Sequence, residues 1–568
     1  MGRFLNEPSD FVTEITEGLA LADDRLALIE GSTIVVRRDI ALLKQEGRVA
    51  LVSGGGGGHE PAHSGYVGSG MLSAAVSGPV FTSPSVDAVL QAILTVAGPG
   101  GVLLIVKNYT GDRLNFGLAA EIARDRGVQV EIAVVEDDVA LARLPSSIGR
   151  RGIAGAVIVH KICGAAAEAG RSLQDVKALA DQVNASLFSI GVGLTTCTLP
   201  GAHIQRVIGE DEVEFGLGIH GESGVNREPL QASDRLVDAL ISQLLEEAKI
   251  GSGHRVALMV NNLGATPPGE IAIVTRRALQ RLTASDVRVE RVLAGTFLTA
   301  LDMKGCSLTL LRIDDELDSL LMAPAQAPTG FVATRPSLAV LRLAPVDVTE
   351  AAASDGSPFK NPVHVALFQE AVEALIAAVL EAEPYLTALD TVVGDGDLGS
   401  SLARGARAFA SVRKNYRYPA HVLRLASSCV RREVGGTSGP LYAIFLIRLA
   451  KVLAGSDDPG ALATWSAGFS AGCDAIGDLG DAKAGERTML DSLLPAATEF
   501  HSCASEGVSF QGALSRAASA ARDGANKTAL MTPRRGRSSY IGARAIGHAD
   551  PGAVAAALWL EALAKTSC

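Results

Sequence analysis

Residues 48–61 read Arg-Val-Ala-Leu-Val-Ser-Gly-Gly-Gly-Gly-Gly-His-Glu-Pro. A short apolar run passing straight into five glycines reads as a buried strand that ends in a turn stripped of Cβ atoms. In such a turn backbone N–H groups can approach a bound polar group closely. The same type of run recurs as GVLLIVKNY (101–109), VQVEIAVV (128–135), AGAVIVH (154–160), SLFSIGVGL (186–194) and HRVALMVNN (254–262). Each is read as a strand, and helical patterns separate them, which predicts an α/β architecture of parallel or mixed sheets covered by helices. Ligands of such sheets gather at the carboxyl ends of strands.

This pattern runs from Val49 to about residue 345 and then stops. Residues 344–362, APVDVTEAAASDGSPFKNP, lose periodicity and gather Pro, Ala, Ser and Asp, as an exposed linker does. Beyond them, stretches such as HVALFQEAVEALIAAVLEAEPYLTALD keep apolar residues at helical spacing with few β-branched runs. The expected division is therefore an α/β domain over 1–343, a linker over 344–362 and an all-helical domain over 363–568. A length of 568 residues agrees, since single cores stop growing near about 250–300 residues.

Composition narrows the function classes. A net charge of -11, from 51 Lys and Arg against 62 Asp and Glu, argues against a nucleic-acid footprint. Seven scattered cysteines, none paired as CxxC, fit a reduced cytoplasmic setting. The first residues lack a signal-peptide core, and no apolar run reaches about 18 uninterrupted residues, so no membrane span is expected.

Three segments of the α/β part carry chemistry. His59 and Glu60 follow the bare glycine loop. Lys107 and Asp112 stand five apart at a strand end, where they form either a surface ion pair or a site that binds and deprotonates a hydroxyl. His220 lies in Phe215-Gly-Leu-Gly-Ile-His-Gly-Glu-Ser-Gly, where flanking glycines leave its ring accessible. In the helical part, Asp390, Asp395 and Asp397 place three carboxylates within eight residues. These repel one another unless cations neutralise them, so a metal site is the economical reading, although the EF-hand pattern is not met.

In order, spacing and flanking words, GHEPAH, VKNYTGDRLNFGLAAE, GRRGIAGAVIVHK, GLGIHGE and TALDMKG resemble the substrate-binding domain of the dihydroxyacetone kinase family. The resemblance implies that a ring nitrogen of His220 adds to the substrate carbonyl as a reversible hemiaminal. It implies that Asp112 takes the proton of the attacking terminal hydroxyl, that His59 and Lys107 hold and polarise the ketone, and that Gly56 and Gly57 line its pocket. The segments GDGDLGS, GGTSG, GERTMLD, GRSSY and DPG resemble the same family's nucleotide-binding helical barrel. By that resemblance Asp390, Asp395 and Asp397 hold two Mg²⁺ ions on ATP, while Ser400, Gly436, Thr437, Ser438, Arg487, Thr488, Met489, Arg537, Asp550 and Gly552 bind the nucleotide. The family likeness further implies two subdomains in the α/β part, a homodimer, and direct use of ATP by a chain holding both domains. This sequence departs from the usual pattern at Gly57, at Gly78-Pro79-Val80-Phe81, at Leu398 and at Glu486.

The expected activity is ATP-dependent phosphorylation of a small hydroxyketone, dihydroxyacetone first and a C4 ketose such as erythrulose second. A histidine that bonds to a carbonyl carbon selects ketones over glycerol, which offers no electrophile. Two readings of other classes stand beside it: a lyase that cyclises FAD to a cyclic FMN product, and a non-catalytic binding or regulatory paralogue, against which the intact His220 and Asp112 tell.

Overall fold

The computed structural model describes residues 4–140, 149–201, 208–337, 339–344, 356–412, 414–535, 539 and 542–566. The chain divides into two compact units, Met1–Leu343 and Ala344–Cys568.

The first unit contains two six-stranded sheets among the described residues. In the first sheet, β1 (Leu26–Leu28) and β2 (Ile34–Arg37) form an antiparallel edge, and β3 (Ala50–Gly57), β4 (Ala74–Val80), β5 (Val102–Lys107) and β6 (Val130–Val135) run parallel in the order β4-β3-β5-β6. Every residue of β3 and β5 is buried, which is why these strands read as unbroken apolar runs rather than alternating ones. The second sheet holds β7 (Leu187–Gly193), β8 (Glu212–Phe215), β9 (Asn226–Pro229), β10 (Arg255–Asn262), β11 (Arg288–Gly295) and β12 (Gly305–Arg312), in the order β11-β10-β12-β7-β8-β9. Only its β10–β11 pair is parallel. The sheets are thus mixed, and the second is mainly antiparallel.

One run read as a strand is not one. AGAVIVH opens the helix Ala156–Glu168, whose residues from Ala156 to Ala167 are all buried. This helix packs against β3 and β5 and against the helices Leu173–Ala185 and Asp315–Met322. A helix buried all round has no polar outer face to mark its period, so its first turns, Ala156–Val159, look like a core strand.

The second unit is all-helical among its described residues, from Pro362–Glu381 to Pro551–Ala564. Its core joins Phe445, Phe469, Phe500 and Leu493 to Leu560 and neighbouring alanines. Beside that core lies an apolar cavity of about 520 Å³, lined among others by Phe368, Leu375, Ile376, Val379 and Trp465. Helix Pro362–Glu381 is long and apolar enough to cross a membrane by length and composition, and much of its apolar face lines this cavity. Within the stretch expected to be a linker, Phe359 is buried and stacks edge-on against Phe368, while residues 345–355 lie outside the described residues.

Candidate active site

The first site forms where β3 and β5 end. A Cβ on Gly56 would lie 2.5 Å from the Thr82 nitrogen and 2.6 Å from the Phe81 carbonyl carbon, both backbone, so only glycine fits this approach. A Cβ on Gly57 would lie 2.6 Å from Cγ2 of Val12. The space a larger residue would take at 57 is therefore filled by the helix Phe11–Ala22. The second departure from the family pattern, Gly78-Pro79-Val80-Phe81, ends β4 through a bulge against Gly56 and Gly57, and Phe81 just beyond it adopts φ 58° and donates its N–H to the Gly57 carbonyl at 2.9 Å. That left-handed conformation costs about 1–2 kcal/mol for a side chain with a Cβ. It stacks the Phe81 ring on His59, with centroids 5.1 Å apart.

His59 is fully buried. Its Nδ1 lies 2.8 Å from the Thr299 carbonyl, which can only accept, so Nδ1 carries the proton and Nε2 presents a lone pair. Nε2 has no hydrogen-bond partner among the described residues. Burial, then Lys107 and His220, hold this histidine well below its ordinary pKa, and it is neutral. Lys107, at the end of β5, is 1 % exposed, and its Nζ has no hydrogen-bond partner among the described residues. Burial pushes its pKa down, against Asp112, Glu222 and Asp137, which favour its charge. Asp112 is buried in the first turn of helix Thr110–Asp125. Among the unpartnered buried nitrogens here, His59 Nε2 can accept and Lys107 Nζ can donate, which suits a ligand that offers both.

His220 comes from the second sheet, in the turn between β8 and β9. Its ring meets His59 at 4.9 Å, Tyr109 at 4.7 Å and Phe81 at 5.3 Å, all edge-on. The loop Thr299–Leu301 ties the two sheets at this point: Thr299 and Leu301 donate their N–H groups to the carbonyls of His59 and Gly58 at 3.1 and 2.9 Å. The structure thus brings together His59, Lys107, Asp112 and His220 with Gly56 and Gly57. Sequence reasoning left Tyr109, Phe81, Thr299 and Glu222 without roles. Of these, only Glu222 carried a local signal, being a carboxylate two residues from His220. Behind the site lies a second buried pair, with His63 Nδ1 2.9 Å from His160 Nε2.

In the helical unit, the helix Glu383–Val393 delivers Asp390, and the tight loop before the helix Leu398–Ser411 delivers Asp395 and Asp397. Asp390 Oδ2 accepts the N–H groups of Asp397 and Leu398 at 3.0 and 3.1 Å, which fixes the loop on the carboxylate. One oxygen from each of the three aspartates lies within 4.8 Å of the others. Three converging hard oxygen donors suit Mg²⁺, which keeps waters and phosphate oxygens as its remaining ligands. Ser400 donates its hydroxyl to the Asp397 carbonyl at 3.0 Å. Gly436 and Thr437 lead into the helix Ser438–Ala454, and a Cβ on the adjoining Gly435 would stand 3.6 Å from Ser401 Oγ on the helix Leu398–Ser411.

Arg487, Thr488, Met489, Asp550 and Gly552 form a second group in this unit. Thr488 donates its N–H to Asp491 Oδ2 at 2.8 Å, and a Cβ on Gly552 would be 3.6 Å from Met489 Cβ. Arg487 is 1 % exposed and donates through Nη2 to the His548 carbonyl at 2.9 Å. Asp550 caps the helix Pro551–Ala564, which packs against Glu383–Val393. Arg537 lies outside the described residues.

Comparison with known proteins gives a consistent picture. Residues 17–329 match the Dak1 domain and residues 392–565 the DAK2 domain. The chain is 39% identical over 577 residues to a triokinase/FMN cyclase of Mus musculus, covering 99% of this chain and 98% of that one. It is 36% identical over 587 residues to an L-erythrulose 1-kinase of Mycolicibacterium smegmatis, covering 100% and 99%. The fold is similar to the crystal structure of the dihydroxyacetone kinase of C. freundii in complex with AMP-PNP and Mg²⁺, with a TM-score of 0.73, 36% identity and 99% of each chain covered.

Proposed function

From a chain that belongs to the dihydroxyacetone kinase family and is an ATP-dependent phosphotransferase of that type, we propose transfer of the γ-phosphoryl group of ATP to a terminal hydroxyl of dihydroxyacetone. Residues 1–343 bind the ketone, 363–568 bind Mg-ATP, 344–362 link them, and the working form is a homodimer. The observation that carries this reading is the meeting of the His220 ring, from the β8–β9 turn, with the rings of buried His59 and of Tyr109, over which Lys107 Nζ lies 5.8 Å from the centroid. His220 Nε2 bonds the ketone carbon, and the rings of Phe81, Tyr109 and His59 hold the imidazole in place. Lys107 donates to the substrate oxygen while His59 Nε2 accepts from a hydroxyl. Asp112 takes the proton of the terminal hydroxyl as its oxygen attacks phosphorus. Fixing the ketone by a bond converts two encounters into one oriented step.

Asp390, Asp395 and Asp397 would hold two Mg²⁺ ions, which neutralise phosphate charge when bound. Gly436, Thr437 and Ser438 offer N–H groups at a helix start, the usual seat for an anion. Steady-state rates on dihydroxyacetone, glyceraldehyde and both erythrulose enantiomers test the substrate, with the highest kcat/KM expected for dihydroxyacetone. A preference for erythrulose would move the reading to the C4 ketose, which the L-erythrulose 1-kinase relative supports. Failure to phosphorylate any of these compounds would refute it. Because a relative is named as an FMN cyclase, FAD with Mn²⁺ belongs in the same assay, with a cyclic FMN product marking that second activity.

A further inference from the structure

Glu222 is joined to His220 twice. Its Oε1 lies 2.8 Å from His220 Nδ1, and its Oε2 accepts the His220 backbone N–H at 3.0 Å. Burial works against the carboxylate's charge, but the bonds from His220 outweigh it, and its pKa is pulled down to about 2. Glu222 is therefore ionised at neutral pH and has no proton to donate. The proton between the two groups sits on Nδ1, and in the neutral ring the lone pair is left on Nε2.

The carboxylate also stands near a fixed cation. A Cβ on Gly218 would lie 1.8 Å from Glu222 Oε2 and 2.7 Å from Arg151 Nη1, so guanidinium and carboxylate converge on the bare face of one glycine. Arg151 is in turn fixed by Asp138 Oδ2, at 2.8 and 2.5 Å, and by the Gly216 carbonyl at 2.7 Å.

We propose that Glu222 is a positioning residue that locks His220 in the Nδ1–H tautomer, aims Nε2 at the ketone, and stabilises the cationic ring that appears when the bond forms. This rests on the covalent reading above. In that step the Nε2 lone pair makes the C–N bond, the π pair of the carbonyl moves to oxygen, and oxygen takes one proton from solvent. Nδ1 keeps its proton, so the ring gains a positive charge beside the carboxylate. In the adduct the ring's charge is fixed by the C–N bond, so Glu222 favours the adduct over neutral His220 with free ketone rather than both equally.

The test compares the full-length wild type with Glu222→Gln, Glu222→Asp and His220→Ala. Glu222→Gln keeps the shape and an acceptor oxygen but removes the charge. Its adduct dissociation constant for dihydroxyacetone, read by native mass spectrometry, is expected to rise roughly ten- to hundredfold, the value of a hydrogen bond to a charged group. The KM for the ketone should rise with it while the KM for ATP stays unchanged. Glu222→Asp should recover part of the loss. In ¹⁵N NMR the wild-type His220 should show a protonated Nδ1 and a bare Nε2, with the two forms mixed in Glu222→Gln. An unchanged tautomer and an unchanged adduct constant in Glu222→Gln would overturn the proposal. Wild type that phosphorylates dihydroxyacetone without an adduct would overturn the covalent reading instead, and the tautomer measurement would still decide whether Glu222 orients His220.

Discussion

Asp550→Asn isolates one buried carboxyl. Asp550 is 8 % exposed, accepts the Ala553 N–H at 2.9 Å, and faces Arg487 and Asp491. Burial pushes its pKa from the ordinary 3.8 up to about 6, against the Ala553 bond and Arg487, which lower it. A rise of about 2 units at about 1.4 kcal/mol each means that the ionised group costs the fold about 3 kcal/mol. Because the folded form holds the proton more tightly, that cost is absent below pH 3.8, grows from there to about 6, and is complete above 6. Asparagine still caps a helix and cannot ionise. Both tryptophans, Trp465 and Trp559, lie in the helical unit, so their fluorescence in urea reports this unit alone. Without nucleotide, the two proteins should be within about 1 kcal/mol of each other at pH 4, and the variant should be more stable by up to about 3 kcal/mol at pH 7. Parallel pH dependences, or a wild type that gains on the variant as pH rises, would refute the reasoning.

Other outcomes follow from the same geometry. Asp395→Asn should weaken Mg-ATP binding at least tenfold in a titration while dihydroxyacetone still binds; loss of ketone binding would mean the sites are misassigned. Gly57→Ser drives a Cβ against Val12 and should destabilise the first unit by about 1–3 kcal/mol, and Val12→Ala should recover part of that; a denaturation cycle with no coupling between the two would contradict the packing described. Residues 1–345 and 363–568 made separately should restore weak, concentration-dependent turnover when mixed, because a short tether supplies only an effective concentration in the millimolar range. Turnover of a ketone by the helical half unaided would make His220 a bystander.

The legible parts of this fold were those written locally. Val49 to Gly58 shows strand and turn in one run because β3 is buried on both faces, and Asp390, Asp395 and Asp397 stand close in sequence as they do in space. Pairing over long separations was not legible: β7 lies antiparallel to β12, about 120 residues on, and apolar runs do not encode that direction. The helix Ala156–Glu168 was hidden by its burial on every side. At the site, His59 and His220 stood out by their glycines. What sets their protons did not, since the acceptor for His59 is a backbone carbonyl at Thr299, which no side chain announces. Phe81 and Tyr109 meet His220 only through the fold, and their spacing in sequence carries no trace of it.

The central claim is that His220 holds the substrate by a covalent bond while its hydroxyl is phosphorylated, and ¹³C NMR of dihydroxyacetone labelled at its carbonyl carbon tests this directly. Bound to the full chain, the labelled carbon should leave the ketone region for that of a tetrahedral carbon, and His220→Ala should keep it a ketone with sharply raised KM. A bound substrate that stays a ketone in a wild type that phosphorylates it, or an unchanged KM in His220→Ala, would contradict the account.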